Sequence, residues 1–152
     1  MRHLLLFAHL LGFVLWLGGG IAAMQVGRAM RSVQRSDLRL LVGIQGRLHR
    51  SLILPGALLV VLSGLLLTLR LYGSAASTTG FPVPLMVMQG AGLLGAGIVL
   101  AVALPTVTRL GRLDPTGEQA PLFDALWKRA AVGGALTGIL AMTALVSGTL
   151  LR

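Results

Sequence analysis

The sequence predicts an all-α fold, an integral membrane four-helix bundle formed by one domain of 152 residues. It contains four apolar runs of about 18–22 residues, the length that an α-helix needs to cross a bilayer core of roughly 30 Å. The runs contain no acidic residue and lack the alternation of barrel strands. Charged residues make up 11% of the chain, against about 25% in soluble domains. The predicted spans are residues 4–24, 52–69, 85–104 and 130–151.

Prolines and polar residues mark the ends of these helices. The first two helices are expected to extend past their apolar runs and to turn near residues 32–36. Pro55 is placed in the first turn of the second apolar span, where its missing N–H costs little. Pro105 is expected to end the third helix, before a turn at Asp114-Pro115.

The distribution of basic residues predicts the orientation. Ten of the 13 Lys and Arg residues lie in the two connections between helices 1–2 and 3–4, and only Arg2, Arg70 and Arg152 lie on the other side. Cytoplasmic loops carry such an excess. We therefore expect a multi-pass protein of a bacterial-type inner (plasma) membrane, with both termini and the loop at residues 71–83 non-cytoplasmic.

The net charge of +9 comes mainly from arginines beside predicted membrane spans, so nucleic acid is not an expected partner. Four of them recur at three- and four-residue spacing after the first span, which predicts one helical face. We interpret this face as lipid-facing and paired with anionic headgroups of the bilayer. A docking surface for an acidic protein is the alternative. The four residues are Arg28, Arg31, Arg35 and Arg39.

Glycines in the third and fourth spans predict close helix packing. Residues 90–95 match the G-x-G-x-x-G dinucleotide pattern, but they lie within an apolar run and not at a strand-to-helix turn, so this function is rejected. Gly134 and Gly138 form a GxxxG pattern. The third and fourth helices are expected to approach closely at residues 92–96 and 134–138. The same pattern predicts a homo- or hetero-oligomer if the partner helix belongs to another subunit.

His9 is the main candidate for a binding site, because ionisable groups inside a membrane span are rare and usually functional. Three methionines are candidate co-ligands in the non-cytoplasmic half: Met86 and Met88 at shallow depth, and Met142 deeper. Imidazole and thioether ligands suit the iron of haem b or Cu(I). The alternative is that His9 hydrogen-bonds a neighbouring helix and the methionines fill gaps.

Two further features concern the histidines. His49 follows the basic connection and is interpreted as an interfacial residue, roughly a membrane thickness away from His9. Trp16 lies roughly 700° of helical rotation after His9, so both rings are expected to line one cavity.

Two segments resemble a known group of four-helix membrane proteins. His9, Trp16 and Gly18-Gly19 resemble the first helix of HemJ-type protoporphyrinogen oxidases and of CopD copper-resistance proteins. Residues 47–57, continuing to Ser63-Gly64-Leu65, are similar to the second helix of that group. The match covers roughly the first seventy residues. It implies a haem-ligand role for His9.

Two functions remain open from the sequence. The first is a membrane protein that binds haem b or copper through His9 in a redox or metal-handling role. The second is a non-catalytic accessory subunit that packs on larger membrane partners through its Gly/Ala faces. No catalytic residue is assigned, because the four acids lie in the basic connections, away from the apolar spans.

The topology can be tested by cysteine labelling, since the chain has no cysteine of its own. An impermeant thiol reagent applied to intact cells should label Ser77→Cys and should not label Ser36→Cys. Labelling of position 36 alone from outside would contradict the predicted orientation.

Overall fold

The computed structural model describes residues 2–73 and 80–151, which form long helices joined by turns. Each helix is long and apolar enough to cross a membrane. The predicted all-α four-helix bundle is therefore confirmed. Part of the predicted loop at 71–83, residues 74–79, lies outside the described residues. The helices are α1 (Arg2–Ala29), α2 (Arg35–Tyr72), α3 (Val83–Leu110) and α4 (Gly117–Thr149).

The two basic connections lie at the same end of the bundle, which we call the basic end. The predicted turn near residues 32–36 is present: α1 ends at Ala29, and the N–H of Arg31 donates to the Arg28 carbonyl at 3.0 Å. The chain therefore reverses within the predicted arginine stripe. Arg28 lies in the last turn of α1, and Arg39 lies in the first turns of α2. The expectation of one continuous helical face is wrong, although all four arginines are exposed.

Arg35 connects the two turns at the basic end. Its Nη1 donates to the Pro115 carbonyl at 3.0 Å, and its Nη2 lies 2.8 Å from Asp124 Oδ2. An exposed ion pair of this kind contributes at most about 1 kcal/mol. The larger contribution comes from apolar side chains buried together beneath it, the basic-end cluster. Its buried members are Met30, Leu38, Val42, Leu110, Phe123 and Leu126.

Two prolines lie inside helices and not at their ends. Pro55 and Pro105 each follow a wide π-turn, at His49–Ile53 in α2 and Val99–Ala103 in α3. In these turns the N–H of Leu54 or Leu104 donates to the carbonyl five residues back. The wider turn accommodates the proline ring and the missing donor, so the helix continues. The prediction that Pro105 ends its helix is therefore wrong. Pro55 lies in the first turn of the α-helical segment Leu54–Tyr72, as predicted for the second apolar span.

The closest approach between helices is that of α1 and α2. A Cβ added to Gly56 would lie 2.6 Å from the backbone nitrogen of Trp16, and one added to Gly12 would lie 2.8 Å from that of Val60. Each obstacle is backbone, which side-chain rotation cannot relieve. Glycine at both positions is what lets the two backbones touch.

The packing of α3 on α4 differs from the GxxxG prediction. Gly95 lies at the contact, where an added Cβ would be 3.6 Å from Leu140 Cβ, and Ala96, Ala141 and Ala144 are buried nearby. The predicted contribution of residues 92–96 is therefore confirmed in part, although a Cβ on Gly92 itself meets nothing. Cβ atoms added to Gly134 and Gly138 also meet nothing within 4 Å. The GxxxG motif is not part of the contact within this chain.

We expect Gly56→Leu to lower the melting temperature of the purified protein in detergent. Overpacking a core costs roughly 1–3 kcal/mol, and here the new side chain meets backbone. Gly97→Leu is the matched control, because a Cβ at Gly97 meets nothing within 4 Å. Equal melting temperatures for the two variants, monitored by circular dichroism, would contradict the assigned contact.

Candidate functional site

His9 is held by the neighbouring helix α2. Its Nδ1 atom lies 3.0 Å from the carbonyl oxygen of Val60 and 3.1 Å from the hydroxyl of Ser63. The Ser63 hydroxyl in turn donates to the carbonyl of Leu59. This network ties the half-buried imidazole to α2 through groups that could not reach water inside a membrane.

The hydrogen-bond partners determine the tautomer of His9. A carbonyl oxygen can only accept, so the contact with Val60 requires that Nδ1 carries the proton. Because the Ser63 hydroxyl donates to Leu59, its oxygen is free to accept from the same N–H. A neutral ring protonated at Nδ1 has its lone pair on Nε2. This is the form in which an imidazole ligates a metal ion, with its other nitrogen oriented by a carbonyl.

Gly64 and Phe13 fix the position of the ring. A Cβ added to Gly64 would lie 3.0 Å from His9 Cε1, so the glycine provides room for the imidazole against α2. Phe13, one turn further along α1, contacts the ring edge-to-face with centroids 5.6 Å apart. Ser63 and Gly64 were not predicted as site residues, although both belong to the segment that resembles the known family. Their signal was a polar and a small residue side by side within an apolar span.

A small cavity of about 30 Å³ lies beside His9. It has room for one or two water molecules or a single metal ion. His9, Met88 and Gln89 are the side chains with ligand atoms in its lining, and the remaining lining is apolar or glycine. The Gln89 amide donates to the Thr68 hydroxyl, and the Met88 sulfur lies 3.3 Å from where Gly148 would carry a Cβ. The structure therefore brings His9 together with Met88.

Two of the predicted methionine ligands are elsewhere. Met86 is 52% exposed and Met142 is 51% exposed, and neither lines the cavity. Met86 and Met88 are two residues apart, which separates their directions by about 200° around α3. Only one of them can therefore face the bundle.

Trp16 also lies outside the cavity, so the prediction that its ring and that of His9 line one cavity is wrong. The side chain is 2% exposed, and its ring covers Gly95 on α3. Seven residues of helix separate the two positions by about 10 Å along α1. Phe13 occupies the space between them, with its ring centroid 6.5 Å from that of Trp16.

The cavity does not fit haem. Pockets for ligands of that class are on the order of 300–1,000 Å³, against about 30 Å³ here. Among the described residues there is also no group of three or more His, Cys, Asp or Glu side chains that could hold a metal ion. The lining residues that carry donors suited to a single soft ion are His9, with an imidazole, and Met88, with a thioether.

His49 is buried, contrary to the prediction that it lies at the interface. It is 6% exposed, and its Nδ1 lies 2.9 Å from the carbonyl of Gln45 one turn earlier. Because α2 continues through the basic connection, Arg47 and Arg50 lie on its exposed face and His49 lies on its buried face. Val60, the residue that His9 contacts, follows His49 by 11 residues, which is about 16 Å along α2. The separation of the two histidines along the bundle is therefore smaller than the predicted membrane thickness. The two histidines still cannot share one ion.

Comparisons with protein-family models, with curated proteins and with solved structures found no match to this chain. The resemblance to the HemJ and CopD families therefore rests on the residues quoted for it.

Proposed function

We propose that this protein binds one copper(I) ion through His9 and Met88, in a metal-handling or redox role within the membrane. The observation that carries the proposal is that His9, whose Nδ1–H is bound by α2 so that the lone pair is on Nε2, and Met88 are lining residues of the same cavity. The cavity, of about 30 Å³, is large enough for an ion and far too small for a macrocycle.

The donor set favours Cu(I) over other metals. Thioether sulfur is a soft ligand that selects Cu(I), and imidazole also suits copper. No carboxylate lines the cavity, which disfavours Mg²⁺ and Ca²⁺ because they require several oxygen ligands. A monovalent ion is also the least costly charge to place among apolar walls.

The hydrogen bonds to α2 support the same function. Histidine ligands commonly donate their second N–H to a carbonyl, which fixes the ring and raises its basicity. His9 does so to Val60, and Gly64 provides space for the ring. The resemblance of these two helices to the CopD copper-resistance proteins points in the same direction.

Copper binding can be tested on the purified protein in detergent. After loading with Cu(I) under reducing conditions and removal of excess metal, elemental analysis should find about one copper per chain. His9→Ala should reduce this to background. Met88→Leu should weaken Cu(I) binding by on the order of tenfold or more, measured by competition with a chromogenic Cu(I) chelator. Loss of a residue that only hydrogen-bonds a metal ligand already costs about this much affinity, and loss of a ligand should cost at least as much.

Met142→Leu is the matched control for Met88→Leu, because Met142 points away from the cavity. Its affinity for copper should equal that of the unmodified protein. Full copper occupancy in folded His9→Ala protein would rule out the assigned site. A Soret band in the absorption spectrum of the purified protein would instead support haem at a location outside this cavity.

A second candidate is the accessory subunit, and the GxxxG motif on α4 favours it. Gly134 and Gly138 face open space, so nothing in the described chain uses a motif that normally permits close helix contact. If a second copy packs there, Gly138→Leu should convert oligomers to monomers in analytical ultracentrifugation, whereas Gly97→Leu should not. A monomeric wild-type protein, or unchanged oligomers in Gly138→Leu, would contradict self-association through this motif.

A further inference from the structure

A groove on the outside of α3 at the basic end belongs neither to the His9 cavity nor to the helix contacts. It is an open hollow of about 620 Å³, within the size range of ligand sites. Its lining residues lie on one face of the last turns of α3 and, at Arg112, in the turn that follows the helix. These residues, which we call the α3 groove, are Leu104, Pro105, Thr108, Arg109 and Arg112.

The groove changes character along its length. Leu104 and Pro105 form an apolar wall where the membrane span of α3 ends. Arg109 lies one helical turn further, and Arg112 lies in the turn after the helix. The hydroxyl of Thr108 is already used, since it donates to the Leu104 carbonyl at 2.8 Å. The polar groups left to bind a ligand are therefore the two guanidinium groups.

Neither arginine of the groove is neutralised within the described chain. The ion pair found among the described residues is that of Arg35 with Asp124, so no carboxylate lies within 4.0 Å of Arg109 or Arg112. The carboxylate of nearby Asp114 is turned toward Thr116, whose hydroxyl and N–H lie 2.6 and 2.9 Å away.

These two hydrogen bonds from Thr116 lower the pKa of Asp114 below its ordinary value, and Arg39 contributes in the same direction. The carboxylate thus stays ionised and engaged elsewhere at neutral pH. The groove keeps two exposed positive charges beside an apolar wall.

We propose that the α3 groove binds the headgroup phosphate of an anionic phospholipid in the leaflet at the basic end. Guanidinium groups form bidentate, charge-assisted hydrogen bonds with phosphate. The wall at Leu104 and Pro105 lies on the membrane side of these charges, where the acyl chains of the same lipid begin. A soluble phosphate would use the arginines but would gain nothing from the apolar wall, so the lipid is the better fit.

This site differs from general attraction between a basic protein surface and an anionic membrane. Diffuse attraction depends on the total charge near the membrane surface. Lipid binding in a groove depends instead on which arginines line it and on the space between them. The chain provides a matched comparison, because Lys128 and Arg129 are exposed at the same end on α4 but do not line the groove.

Native mass spectrometry of the detergent-purified protein can measure lipid binding directly. The unmodified protein should bind phosphatidylglycerol more tightly than phosphatidylcholine with the same acyl chains. The Arg109→Gln/Arg112→Gln variant should lose roughly tenfold to thirtyfold in apparent affinity for phosphatidylglycerol, given the usual contribution of each basic residue near an anionic surface. The Lys128→Gln/Arg129→Gln variant should retain most of the affinity. Circular dichroism melting should confirm that both variants are folded.

Thr108→Phe tests the shape of the groove without changing its charge. The aromatic ring should fill the hollow and reduce phosphatidylglycerol binding, whereas unchanged binding would overturn the proposal. Equal losses in the two double variants would show diffuse attraction and would also overturn it. Equal affinity for phosphatidylcholine, or displacement of phosphatidylglycerol by an equal concentration of inorganic phosphate, would exclude an anionic lipid as the specific ligand.

Discussion

The contact between α1 and α2 at Gly12 and Gly56 sets the geometry on which the candidate site depends. At this point each backbone occupies the space that a Cβ of the other helix would need. The approach brings α1 close enough for His9, one turn before Gly12, to reach a backbone carbonyl and a hydroxyl on α2. Inside lipid no water can replace these partners, so the polar side chain and the close packing are mutually dependent.

The same constraint explains the form of the cavity. Gly64 leaves space on α2 for the imidazole, and the apolar side chains around it close that space to about 30 Å³. Haem would require a larger space than the helices leave beside His9. A single soft ion requires no larger space, because His9 and Met88 already line the same small volume. The proposal of a single ion therefore rests on the size of the cavity more than on the identity of its residues.

The basic end is organised differently from the rest of the bundle. Here the helices extend past the apolar runs, and an apolar cluster with the Arg35–Asp124 pair holds the two connections together. The π-turns before Pro55 and Pro105 let α2 and α3 continue into this region as helices. As a result His49 is buried, and Arg109 lies in the last turn of α3, on the same helix as the apolar wall of the α3 groove, with Arg112 in the turn that follows.

The number of helices and their approximate spans could be predicted from the sequence, because length and apolarity are local properties that the bilayer core selects directly. The role of His9 stays a prediction. The sequence also predicted the turn after α1. The tertiary structure alone decided which faces meet. Gly134 and Gly138 form a motif for close helix contact, yet a Cβ added to either meets nothing within 4 Å among the described residues. Gly12 of α1 and Gly56 of α2 lie instead at a close contact between helices. Met88 lines the cavity beside His9 whereas Met86 and Met142 do not, because the direction of each side chain depends on how its helix is rotated in the bundle. Helix rotation follows from the packing of all four helices together, and no single segment of the sequence contains that information.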